Sequence, residues 1–146
     1  MTVNVFFRAR AGARVTRLRP PLKKAVISAL GAKKAGGELN LVLVGDAEIK
    51  RLNKTFLSHT GVTDVLAFSH PRPVFPRGRE TPPFGDVYIC LPQARRQAAK
   101  LGHSLETELL ILTVHGTLHL AGMDDSSPSR RRAMNEKTVR ILKKLI

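Results

Sequence analysis

The sequence predicts an α+β domain, a small mixed sheet of four strands packed with about five helices. Three observations lead there: short apolar alternations in four places, helical spacing or helix punctuation in five, and strands and helices interspersed without internal repeats. At 146 residues the chain has the size of one compact domain, so residues 1–146 are read as a single unit.

Taken in order, Thr2–Phe7 alternates Val, Val and Phe with polar neighbours and reads as a strand. Pro20 and Pro21 precede Leu22–Leu30, a short amphipathic helix with proline at its start. Gly36 and Gly37 break the chain before Glu38–Val44, a second strand. Asp46 is expected to cap a helix reaching about Phe56, because Ile49, Leu52 and Phe56 fall at helical spacing. Asp64–Phe68 and Asp86–Cys90 read as two more strands. The segment His70–Gly85 between them holds five prolines and reads as an exposed loop or lid. A helix follows Pro92 to about Leu101, where Gly102 ends it. Ser104 caps the next helix, with Glu106 and Glu108 near its positive end. Ser127 and Pro128 start the last one, in which Met134, Ile141, Leu142 and Leu145 share an inward face.

Charge narrows the partners. There are 25 Lys and Arg against 11 Asp and Glu, a formal net charge of +14. Residues 1–34 carry nine basic side chains and no acidic one, and the C-terminal stretch adds Arg130, Arg131, Arg132, Lys137, Arg140, Lys143 and Lys144 against Glu136 alone. Such a surplus attracts a polyanion and releases its counterions on contact. With no Trp and few aromatics, stacking platforms are sparse, so contact with a phosphate backbone fits better than base-by-base reading. The arginines 130–132 are the candidate nucleic-acid contacts. Cys90, the one cysteine, lies in an apolar run and reads as a packing residue. No intramolecular disulfide is possible, the N-terminus lacks a signal-peptide layout, and no apolar stretch is long enough to span a bilayer. A cytoplasmic location and no membrane partner are expected.

The most informative segment is His115-Gly-Thr-Leu-His119-Leu-Ala-Gly122-Met-Asp-Asp125. Histidines four apart return to one helix face, offset by roughly 40°. Gly122 offers a place to end the helix and turn, which lets Asp125 swing back toward them. Two imidazoles and a carboxylate make a first shell for one divalent ion, zinc above others, with a position left open. From Leu109 to Leu120 the helix is apolar on nearly every side, so it is buried, and buried imidazoles need partners. Gly116 inside the helix costs about 1 kcal/mol against Ala, which points to close approach of a neighbour. The spacing matches the layout of metzincin proteases. Gly116, however, occupies the position of their general-base Glu, so the geometry is present and the proteolytic base is not.

With these residues in view, the chain resembles the YbeY family, bacterial metal-dependent endoribonucleases of ribosomal RNA maturation. That family's signature is His-Gly-x-Leu-His-Leu-x-Gly-x-Asp-His, matched here by His115–Asp125. Two further blocks agree, Leu52-Asn53 followed by Thr63–Phe68, and Gly85–Ile89, so the likeness covers roughly residues 38–126. Two positions depart from the pattern: Asp125 replaces the third histidine, and Leu57 stands where an arginine usually follows the aromatic. Asp124 matches the family's own Asp and is expected to hold the loop or make an outer contact.

The resemblance implies metal-dependent hydrolysis of RNA phosphodiesters, preferring single strands. It also implies ribosomal RNA and the small ribosomal subunit as partners. No Glu adjoins the histidines, so His59 and Asp86 are the candidates for a catalytic base. Asp64 and Asp86 at strand starts also read as caps and turn anchors. Two other functions compete: an RNA-binding assembly factor with a structural metal, and a metzincin-like peptidase, the latter opposed by Gly116.

Overall fold

The computed structural model describes residues 2–31, 37–69 and 83–145. Strands β1 (Thr2–Phe7), β2 (Glu38–Val44), β3 (Val65–Ser69) and β4 (Pro83–Cys90) form one sheet in the order β1-β2-β4-β3. The β1–β2 and β2–β4 pairs are parallel and β3 runs antiparallel to β4, so the expected four-stranded mixed sheet is present. Around it lie a single turn α1 (Ala13–Thr16) and five longer helices, α2 (Arg19–Leu30), α3 (Asp46–Leu57), α4 (Leu91–Leu101), α5 (Leu105–Leu120) and α6 (Pro128–Leu145).

Several boundaries differ from the sequence reading for physical reasons. Helix α2 begins at Arg19, with Pro20 and Pro21 inside its first turn, where a missing N–H interrupts no helical bond. The turn α1 carries only Val15 into the core, too little apolar periodicity to be visible in sequence. Asp46 is the first residue of α3 and makes no capping bond; Gly45 is the N-cap. Its carboxylate instead accepts from Arg96 Nη2 at 2.8 Å and from Cys90 Sγ at 3.2 Å. Strand β4 starts at Pro83 rather than Asp86. The rest of the expected proline-rich loop, His70–Pro82, lies outside the described residues.

Strand alternation divides the core in two. On one face Val3, Val5, Leu39, Leu41, Leu43, Val87 and Ile89 pack against Leu22 and Val26 of α2 and Leu109 and Leu112 of α5. On the other, Val42, Val44, Leu66 and Cys90 meet Ile49 of α3. Helix α6 covers the outer side of α2 and α5, where Met134 and Ile141 join Ala25, Ala29, Val114 and Leu118. Leu142 and Leu145 pack against this cluster, as their spacing predicts. Helix α5 is therefore enclosed between the sheet and α6, which explains its lack of a polar face. Its buried hydroxyls turn to their own helix: Thr113 Oγ1 donates to the Leu109 carbonyl and Thr117 Oγ1 to that of Thr113, each at 2.7 Å. Cys90 is fully buried. Burial pushes its thiol up to about 11, so at neutral pH it is a protonated packing group.

Candidate metal centre and the cleft around it

Helix α5 begins as its sequence indicates, with Ser104 Oγ accepting from Thr107 N at 3.1 Å. It then crosses the sheet closely. A Cβ on Gly116 would lie 2.6 Å from Val87 Cγ1 and 3.1 Å from Val65 Cγ2. Only a glycine allows α5 to sit this near β3 and β4, and this approach fixes where the flanking histidines stand. The helix stops at Leu120, and Gly122 turns the chain with φ 99°, a left-handed conformation that a side chain rarely adopts. After the turn, Asp124 holds the loop: Oδ1 accepts from Ser126 N at 3.0 Å and Oδ2 from Arg130 Nη1 at 2.8 Å.

These constraints bring His115, His119 and Asp125 together. The two imidazoles meet edge to face with centroids 4.8 Å apart, and their Nε2 atoms are 3.2 Å apart. One donor atom from each of the three residues lies within 4.8 Å of the others. Four-coordinate nitrogen and oxygen donors around a zinc-sized ion sit about 3.3–3.5 Å from one another, given bonds of about 2.0–2.2 Å. The histidine pair meets that spacing, and Asp125 approaches from an exposed loop. Burial, and after it the neighbouring His119, hold His115 below the ordinary imidazole range, against the opposing charges of Asp125 and Asp64. His115 is therefore neutral near pH 7, the form that ligates a metal. The residues present fit one divalent ion.

The three side chains face a cleft of about 600 Å³ between α5, strand β3 and the end of α3. Asn53, Leu57, His59, Thr63, Asp64 and Ala67 help to line it. Ser58 ends α3 in a left-handed conformation with φ 56°, and Asn53, itself buried, draws the following loop back. Its Nδ2 donates to the Gly61 carbonyl at 3.3 Å and its own carbonyl accepts from His59 N at 3.2 Å. His59 is thus placed at the exposed rim of the cleft. Leu57 lines the cleft with an apolar side chain that cannot hold phosphate.

Asp86 is not brought to this cleft. Val87 and Gly85 point at α5, so Asp86 between them points to the opposite face of the sheet. There Asn40 Nδ2 donates to Asp86 Oδ1 at 3.0 Å. Arg130, Arg131 and Arg132 lie exposed on the first turns of α6, and Arg130 is engaged by Asp124. The residue that sequence reasoning undervalued is Asp64. Its place at a strand start reads as a cap and turn anchor, and its Oδ1 does accept from Val65 N at 2.8 Å, yet Asp64 also lines the cleft. Its place in the block Thr63–Phe68 was the available signal.

Comparisons with known proteins point to one family. The family model described as Endoribonuclease YbeY matches residues 13–146. A protein named Endoribonuclease YbeY from Elusimicrobium minutum is 41% identical over 147 residues, covering 99% of this chain and 100% of the relative. Its namesake from Phytoplasma australiense is 40% identical over 112 residues, covering 77% of each. The solution structure of TM1509 from Thermotoga maritima superposes with a TM-score of 0.64 at 26% identity, covering 99% of this chain and 89% of that one. With a family match over nearly its whole length, the chain belongs to the YbeY endoribonuclease family.

Proposed function

We propose that this protein is an endoribonuclease that hydrolyses single-stranded RNA at the His115–His119–Asp125 centre, acting on ribosomal RNA and in contact with the small ribosomal subunit in the cytoplasm. The observation that carries it is the convergence of those three donors at one end of a cleft, in a chain whose relatives are named endoribonucleases. The ion assigned to the centre is zinc, from a donor set of two imidazoles and a carboxylate. The chemistry such an ion supplies is acidification of water and neutralisation of charge on a phosphoryl oxygen.

The chain's own residues do the rest. His115 and His119 are held by α5, whose distance from the sheet Gly116 sets, so the donors are fixed before anything binds. Arg131 and Arg132, exposed and following the centre in sequence, attract the phosphates that flank the target bond. Arg130 is assigned to the Asp124 loop, and through it to the placement of Asp125. His59 at the rim is positioned to meet a ribose or phosphate at the mouth. Asp86 is assigned no role in this reading, since it lies on the other face of the sheet beside Asn40.

Leu57 supports a second reading, an RNA-binding assembly factor with a structural ion, since a side chain that steadies a phosphate is absent there. Stripping the metal, or His119→Ala, is expected to abolish cleavage of a single-stranded RNA while RNA binding persists within a few-fold. Equal cleavage by the stripped protein would refute the metal mechanism. Metal-loaded wild type that binds RNA and never cuts it would favour the second reading.

A further inference from the structure

A row of polar groups, Glu108 buried and His103, Gln97 and Asp64 half-buried, runs from the surface into the cleft and is not used by the metal centre. Glu108 is 3% exposed, an unusual burial for a carboxylate. It is paired on one side with His103 Nε2. On the other, Gln97 Nε2 donates to Glu108 Oε1 at 3.0 Å and to Asp64 Oδ2 at 3.3 Å. Both amide hydrogens of Gln97 are thereby committed, and its Oε1 accepts from Gln93 Nε2 at 3.3 Å. The tie joins three elements: Gln97 is on α4, Glu108 on α5 and Asp64 at the start of β3.

Asp64 is held from several sides. Its Oδ1 accepts from Val65 N at 2.8 Å and from Thr63 Oγ1 at 3.5 Å. Its carbonyl accepts from Cys90 N at 2.8 Å, which fastens the residue to the end of β4. An ionised carboxylate has about four lone-pair directions, and the described residues take three, which leaves one for a donor in the cleft. The alternatives for a base are weaker on geometry: Asp86 faces away, Asp125 belongs to the donor set, and His59 is exposed on a loop.

We propose that Asp64 is a further catalytic residue of this cleft, the acceptor of the proton from the attacking water, and that Gln97, anchored by Glu108, is the positioning residue that aims it. The role rests on the endoribonuclease reading. In the step, the water oxygen bonds to phosphorus and the phosphorus–oxygen bond to the leaving ribose breaks. The water proton passes to Asp64 and thence to solvent, and the leaving oxygen takes a proton from solvent.

The test uses the full chain loaded with zinc, a labelled single-stranded RNA oligonucleotide, and the variants Asp64→Asn and Gln97→Ala beside wild type. Bound metal, RNA affinity, melting temperature, kcat and KM are measured. Asp64→Asn, which keeps the side chain's shape, is expected to lower kcat by about 10²–10⁴-fold with metal and RNA affinity retained. Gln97→Ala loses kcat by roughly tenfold at unchanged KM and unchanged bound metal. Asp64→Asn that cuts within threefold of wild type overturns the role, as does one that loses its metal or does not fold, since either assigns Asp64 to the framework. Full kcat in Gln97→Ala overturns the positioning half. Wild type that never cuts removes the endoribonuclease reading itself; wild type that cuts beside an equally active Asp64→Asn removes this role alone.

Discussion

Gly116→Ala tests the claim that close packing of α5 on the sheet sets the metal centre. In an ordinary helix interior the change stabilises by about 1 kcal/mol. Here the new Cβ would stand 2.6 Å from Val87 Cγ1 and 3.1 Å from Val65 Cγ2. Val87 is fully buried and β-branched, so it has no free rotamer to retreat to. Overpacking of this kind costs about 1–3 kcal/mol. Subtracting the propensity gain leaves a net loss of about 0–2 kcal/mol, together with an outward shift of α5 that separates His115 from β3. Val87→Ala removes the nearer obstacle at a cost of about 2 kcal/mol of its own. In that background only the 3.1 Å approach to Val65 Cγ2 remains, and the effect of Gly116→Ala changes sign to a gain of less than about 1 kcal/mol. The assay is urea denaturation of the four proteins of the double-mutant cycle, with zinc affinity measured on each. The same sign of Gly116→Ala in both backgrounds, or full stability and zinc affinity in the single variant, would refute the reasoning.

Three more outcomes are expected. Below about pH 6.5 the metal-stripped protein loses stability through His115, because the folded pKa lies below the unfolded one: the unfolded chain takes up the proton first. His115→Ala removes that slope in equilibrium unfolding at a series of pH values. Cys90, with its thiol pushed up to about 11 from an ordinary 9.0 and no surface exposed, resists iodoacetamide at pH 8, reacting at least roughly a hundredfold more slowly than in urea. Mass spectrometry with equal rates in both states would contradict this. Arg131→Glu with Arg132→Glu weakens RNA binding and flattens its log–log salt dependence by about 1.4, two single-strand phosphate contacts; Arg130→Ala instead loosens the Asp124 loop and lowers zinc affinity.

How much of this was legible in the sequence depended on whether a residue's signal was local. Strand β2 was bounded correctly at Glu38 and Val44 because its apolar run lies between Gly37 and Gly45. The start of α5 at Ser104 and the turn at Gly122 were legible for the same reason: a capping hydroxyl and a left-handed glycine are chemical needs of single positions. Asp46 misled, since the residue type suits a cap, while Arg96, fifty positions away, competes for the carboxylate and holds it below its usual range. Asp86 shows a deeper limit. Alternation alone says that Asp86 and Val87 point to opposite faces, but which face carries α5 is set by the parallel order β1-β2-β4, which no local pattern encodes. Asp64 faced the same obstacle. Its capping bond is local and was anticipated; its partner Gln97 is thirty-three residues away.

The polar groups of α5 make energetic sense only as one line. At 100° per residue, His115 lies about 20° to one side of Glu108 and His119 about 20° to the other, so the three share a narrow stripe some 16 Å long. Past its first turn, most of the rest of the helix packs against apolar neighbours or, as Thr113 and Thr117 do, bonds to its own carbonyls. Burying one carboxylate and two imidazoles along such a helix is unfavourable unless each finds a partner. Glu108 has His103 and Gln97; the imidazoles have each other and, at the open end, Asp125. His119 also stands in the last turn, where the carbonyl ends of the helix carry partial negative charge and favour a cation. The upstream half of the stripe is thus closed by protein, and the downstream half presents the donors proposed to hold an ion. Because Gln97 joins the closed half to Asp64, any shift of α5 that moves the histidines also moves the cleft carboxylate. Metal site and cleft wall are held to one element, and this is why a methyl group at Gly116 is expected to disturb both.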